Sequence, residues 1–196
     1  MKIKSMHIKS MHIKSKLTKE FFNRDTVEVA KLLLGKVLKH GKTSGIIVET
    51  EAYKGKEDEA SHAFKRTERS GLMYDSYGKF YIYFVYGKNF CINVTAEKKK
   101  AGAVLIRALE PLSGIDIMKK RRKTDDIGNL TNGPGKLCQA LGINKKFNGT
   151  EINDKIEIFN TDLRPEIIKS SRIGIQKAKD FDWRFYIKDN KFVSVR

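Results

Sequence analysis

Apolar and polar positions recur along this chain at two periods, and the switches between them mark its elements. Val27, Ala30, Leu33 and Leu34 stand at helical spacing behind Asp25-Thr26-Val27-Glu28, where an N-cap residue is followed three positions later by Glu; a short amphipathic helix ending at Gly35 is predicted. Strand-like runs follow at 36–40 and 46–53, joined through a Gly41-Lys42 turn. In the second run an extended chain sends Glu49, Glu51 and Tyr53 to one face and Ile46, Val48, Thr50 and Ala52 to the other. The segment 54–77 is polar, contains glycine and has no clear period, so it reads as a long loop of the kind that is functional or disordered. Residues 80–86 form an apolar, aromatic strand that turns at Gly87-Lys88-Asn89 and returns through 90–94, a β-hairpin. Beyond it lie a buried-looking strand at 103–109 with a single arginine, Arg107, and a helix over 113–122. A second helix opens at Pro134 and stops before Gly142. The last third returns to strands at 155–159 and 184–195, separated by Arg172-Ile173-Gly174-Ile175 and a short helix.

Nothing in this pattern marks a second domain: 196 residues with 40% apolar content suit one core, and no linker rich in Pro, Gly or Ser interrupts it. The first 17 residues differ, because Ile-Lys-Ser-Met-His repeats there with nothing to bury. They are expected to be a disordered basic extension, with the structured domain spanning 18–196. No run approaches the roughly 18 apolar residues of a membrane helix, and the N-terminus lacks a secretory pattern, so a cytoplasmic protein is expected. Cys91 and Cys138 lie far apart outside any CxxC spacing, which points to reduced structural thiols and away from a disulfide framework or a thiol-rich metal site.

Charge narrows the partner. The formal net charge is +17, and six lysines precede Glu20 without an acid, yet the remaining body is still strongly basic. A polyanion is the natural partner, nucleic acid before an anionic membrane, since no basic amphipathic helix of adequate length is present. Lys98-Lys99-Lys100 and the run 119–123 suit phosphate contact, as does Lys136 beside the helix opening at Pro134. That opening lacks the GxxxxGK[ST] frame, so P-loop nucleotide binding is not indicated.

The chemistry-bearing types converge on the strand at 46–53 and the hairpin. Glu51 is a candidate general base, and burial between apolar neighbours demands a partner that Arg107 can supply. Glu49 shares its face, and periodicity does not separate the two. His62, alone in its loop, is on its own a surface histidine, with no second histidine at ligand spacing. Most of the hairpin aromatics suit a sheet core. Tyr86 stands at the turn, where a ring can act as a wedge between bases, while Tyr53 and Tyr83 can wall an unstacked base.

Taken in order, Glu49-Thr50-Glu51-Ala52-Tyr53, Glu57-Asp58-Glu59-Ala60-Ser61-His62, Tyr81-Ile82-Tyr83-Phe84-Val85-Tyr86-Gly87, Arg107-Ala108-Leu109-Glu110-Pro111-Leu112, Asn132-Gly133-Pro134-Gly135-Lys136-Leu137-Cys138 and Trp183-Arg184-Phe185-Tyr186-Ile187 resemble the 3-methyladenine DNA glycosylases of the alkyladenine (methylpurine) type. The resemblance runs from about Leu17 to Val195. It implies a single α+β domain around a curved antiparallel sheet with a protruding β-hairpin. It also implies a monofunctional, cofactor-free, monomeric enzyme that acts on damaged purines in double-stranded DNA, in the nucleoid and away from membranes. Carried over by position, Glu51 is the base that activates water, with Arg107 beside it. Tyr53, His62, Tyr83 and Asn93 form the base pocket, with the His62 backbone N–H reading the base edge and Asn93 crowding a purine 2-amino group. Tyr86 is the intercalating wedge, and Lys88 and Lys136 are expected at the DNA backbone. Two departures stand out: Lys88 replaces an apolar residue and Ser70 an asparagine. The resemblance leaves the lesion range open among 3-methyladenine, 7-methylguanine, hypoxanthine and ethenoadenine. A reading from another class also remains, a non-catalytic DNA-binding protein or alkylation-damage sensor in which Glu51 only partners Arg107.

Overall fold

The strand that carries both candidate carboxylates is the most buried in the molecule, and the rest of the sheet is arranged about it. The computed structural model of the chain describes residues 11–85, 87 and 89–195. Its elements, in order, are β1 (Ile13–Lys16), α1 (Thr26–Leu32), β2 (Val37–His40), β3 (Thr43–Tyr53), α2 (Gly71–Asp75), β4 (Phe80–Val85), β5 (Asn89–Thr95), β6 (Ala103–Ser113), α3 (Ile115–Arg122), α4 (Pro134–Leu141), β7 (Ile156–Thr161), β8 (Ile167–Ser170) and β9 (Arg184–Ile187). Among the described residues, nine strands make one open, curved antiparallel sheet with the path β1-β7-β2-β3-β6-β5-β4, while β9 pairs with β3 and β8. With four short helices this is a single α+β domain.

β3 pairs along one edge with β6, from Ser44 opposite Ser113 to Tyr53 opposite Ala103, and the register shifts on either side of Glu49. Its other edge is shared. β2 covers Thr43 to Ile46, and β9 covers Glu49 to Glu51. The carboxylates therefore sit where one neighbour strand replaces another and no edge is left open to water. Helix α1 begins as its sequence requires, with Asp25 accepting from the Val27 and Glu28 amides at 2.9 and 3.2 Å. It packs on β3 and β6, and α4 packs on β5 and β6. Leu33, Ile47, Ile92, Ile106 and Leu137 lie in the resulting core. A smaller cluster of Ala63, Met73, Tyr81, Ala101 and Ala103 lies under the hairpin.

Five stretches differ from the sequence pattern, one of them the final strand, which ends at Ile187 as β9 and does not run to 195. Order reaches into the supposed extension, because β1 pairs with β7 with Ile13 opposite Thr161. All four of its residues are exposed, and ion pairs such as Lys16 to Glu157 at 2.6 Å accompany it rather than burial, so the apolar pattern is silent. The helix expected from Ser113 starts at Ile115, because β6 runs on to Ser113 and Gly114 turns the chain at φ 71°. The loop 54–77 contains a 3-10 turn at His62–Phe64 and helix α2. No helix separates the last strands among the described residues. Residues 167–170 form β8 instead, and Gly174 at φ 77° interrupts any helical path after Ile173.

Candidate active site

Glu49 and Glu51 are both buried and both bound to Arg107, but they are not equivalent. Glu49 Oε1 accepts from Arg107 Nε at 3.1 Å, Arg184 Nε at 2.7 Å and Ser194 Oγ at 2.9 Å, and its Oε2 accepts from Ser194 N at 2.7 Å. Each carboxylate oxygen offers about two lone-pair sites, so Oε1 of Glu49 is crowded while Oε2 keeps one position. Glu51 accepts three hydrogen bonds: Tyr53 OH to Oε2 at 2.8 Å, Arg107 Nη1 to Oε2 at 3.3 Å, and Ile173 N to Oε1 at 2.7 Å. One acceptor position remains on Glu51. The two carboxylates differ in their partners: Glu49 anchors two arginines and Ser194, whereas Tyr53, Arg107 and the Ile173 amide hold Glu51. Burial opposes the Arg107 charge, but Glu51 and Glu49 beside it outweigh that and raise its pKa further, so it stays cationic.

The three partners of Glu51 line a cavity of about 360 Å³, a size suited to a small flat ligand. Glu51 itself lies just behind that wall. Tyr53, His62, Tyr83 and Asn93 also border the cavity, so four residues scattered over the sequence are brought to one place. Ser61 accepts from the Ala63 amide at 3.0 Å and so caps the turn that presents His62. The His62 ring stands edge-on to Tyr83 at 4.6 Å, and its Nδ1 lies 2.9 Å from the Tyr81 hydroxyl. One face of the residue is open to solvent, but desolvation of the ring where it packs on these tyrosines, with the Arg69 charge nearby, lowers its pKa to about 4, so at neutral pH the imidazole is uncharged. Burial first, then the charge on Glu51, raises the Tyr53 pKa; burial likewise raises that of Tyr83. Both walls are neutral phenols. Asn93 is buried and donates through Nδ2 to the Tyr81 carbonyl at 2.9 Å, which fixes its amide at the cavity wall.

Lys136 is less free than its sequence context implies, because its ammonium donates to Asn132 Oδ1 at 2.9 Å and to Asn129 Oδ1. Two of its three donors are thus committed, although Pro134, at the start of the same helix, borders the cavity. Tyr86 and Lys88 lie outside the described residues. Val85 borders the cavity and Phe84 is exposed, so the end of β4 reaches the cavity rim. Tyr81, Cys91 and the Ile173 amide also belong to the site. Burial pushes the Cys91 thiol up to about 11, so it is an uncharged wall. The Ile173 N–H is a backbone donor, and only the Gly174 that follows it hints at its unusual geometry. Among the described residues no group of three or more His, Cys, Asp or Glu is placed to hold a metal ion.

Residues 20–191 match the methylpurine-DNA glycosylase family. A Clostridium novyi protein, provisionally named a 3-methyladenine DNA glycosylase, is 46% identical over 92% of this chain and 99% of its own length. A Clostridium perfringens protein with the same provisional name is 48% identical over 92% of this chain and all of its own. A Methanoculleus marisnigri protein of that name is 46% identical over 90% of this chain and 97% of its own.

Proposed function

Because this chain belongs to the methylpurine-DNA glycosylase family, we propose that it flips alkylated or deaminated purines out of duplex DNA and hydrolyses the N-glycosidic bond without a cofactor. Glu51 activates the attacking water, and Arg107 holds the carboxylate in place. Tyr53, His62, Tyr83 and Asn93 receive the base. Tyr86 fills the gap left in the duplex, and Lys88 and Lys136 meet the backbone. One observation carries the reading: the buried Glu51 carboxylate is bound to three groups that all line an aromatic cavity.

The chemistry follows from this arrangement. Breaking a purine N-glycosidic bond builds oxocarbenium character on the sugar, and a nearby carboxylate both stabilises that charge and deprotonates water. A purine methylated at N3 or N7 is cationic and already a good leaving group. Neutral tyrosine walls add cation–π attraction of about 0.5–2 kcal/mol per contact that an undamaged purine does not feel. Flipping costs a few kcal/mol and is easiest at a damaged or poorly paired base, so hypoxanthine and ethenoadenine join 3-methyladenine and 7-methylguanine as substrates. The neutral imidazole of His62 costs less to face a cationic base than an imidazolium would. The protein acts as a monomer in the nucleoid.

Burial of Glu51 also suits the competing reading, a damage sensor in which the carboxylate is structural. Incubation with duplexes containing 7-methylguanine or hypoxanthine, in the presence of a chelator, separates the two. A glycosylase releases free base, whereas a sensor binds the duplex and leaves every base attached.

A further inference from the structure

One buried ion pair beside the cavity is not used by the reaction as described. Arg172 Nη1 donates to Asp58 Oδ2 at 2.6 Å and Nη2 to Oδ1 at 2.7 Å, a two-pronged pair with both side chains fully buried. The same Nη1 reaches the Ala52 carbonyl at 3.0 Å, next in sequence to Glu51. The guanidinium lies 4.7 Å from the centre of the Tyr53 ring. The residue after Arg172 is Ile173, whose amide binds Glu51 Oε1 at 2.7 Å. Asp58 also accepts from the Lys54 and Ala60 amides, each at 3.1 Å, and so gathers the loop from which Ala60 and His62 reach the cavity.

We propose that Asp58 and Arg172 are a positioning pair that holds the Ile173 amide and the Tyr53 ring against Glu51. The inference rests on the glycosylase reading and adds to it two residues that touch neither the base nor the water. Energetics favour this over a purely stabilising role. A buried ion pair must repay the desolvation of both charges, and apolar replacements are often as stable. Here the arginine is placed at further expense, since its Nε is buried without an acceptor among the described residues. What the pair supplies is geometry: one planar fork fixes the 54–60 loop, the end of β3 and the Arg172-Ile173 segment relative to one another. Positioning of this kind is where a displacement near 1 Å costs about 100-fold in rate.

The test uses Asp58→Asn and Arg172→Lys in the whole chain, each compared with the parent for single-turnover base release, affinity for lesion duplex, melting temperature and the Ile173 amide proton in a heteronuclear NMR spectrum. The expected result for the folded variants is a release rate lower by about 10- to 100-fold, affinity within about threefold of the parent, and an upfield shift of the Ile173 amide as its bond to Glu51 lengthens. Variants that release base at the parent rate, or that lose rate and affinity equally, overturn the proposal. If one variant does not fold, the other is read alone. A parent that releases no base removes the glycosylase reading and this pair's role with it, whereas an active parent with equally active variants removes only the pair.

Discussion

The Tyr53 phenol donates a 2.8 Å hydrogen bond to Glu51 Oε2, two residues back on the same strand face. The ring therefore has two functions, a wall of the cavity and a donor to the carboxylate, and substitution separates them. Tyr53→Phe keeps the wall and removes the donor. A hydrogen bond to a charged group is worth about 1.5–3 kcal/mol, so single-turnover base release should fall about 10- to 100-fold while affinity for lesion duplex is kept. Equal losses in binding and rate would assign the phenol to base recognition instead.

Glu49 is the anchor of Arg107 and Arg184. Glu49→Gln leaves the buried Arg184 without its carboxylate partner and Arg107 with Glu51 alone, and removing one partner of a buried pair costs about 3–5 kcal/mol. Urea denaturation should show a loss of that order, with base release lowered as well because the Arg107 Nε loses its charged partner. A variant as stable as the parent would mean that the network is not held by Glu49.

His62 gives a prediction in pH. Its pKa falls from the ordinary 6.5 to about 4 in the folded chain, through burial first and then the charge of Arg69. Between those values the unfolded chain takes up a proton that the folded chain refuses. The resulting stability is fully present above about 6.5 and is lost as pH falls toward 4. NMR titration of the His62 ring should show a midpoint near 4 in the parent and a higher one in Arg69→Gln. A parent midpoint near 6.5 would contradict the neutral imidazole in the pocket.

Tyr86, between β4 and β5 in the sequence, is assigned as wedge by resemblance. Tyr86→Ser should weaken binding to lesion duplex and slow flipping, which stopped-flow fluorescence of a base analogue beside the lesion records. Binding and cutting of duplex at parent levels would remove the wedge.

Periodicity in the sequence carries much of this architecture: α1 with its Asp25 cap, the β4–β5 hairpin and the Glu49–Glu51–Tyr53 face all stand where the pattern puts them. What it does not carry has physical reasons. β1 is an exposed edge strand with no buried face, so no alternation marks it. What separates Glu49 from Glu51 is which donors each receives, and those donors come from Arg184, Ser194 and Ile173, more than 120 residues away. The Ile173 donor belongs to the backbone and has no residue type to reveal it. Asp58 and Arg172 read as ordinary loop charges until the fold buries them together.

The central claim is that Glu51 activates the water, and Glu51→Gln tests it most directly, since it preserves shape while removing the base. Single-turnover assays with a duplex containing 7-methylguanine, in the presence of a chelator and alongside a binding titration, should show no base release by the variant and affinity close to the parent. Release at the parent rate would contradict the account.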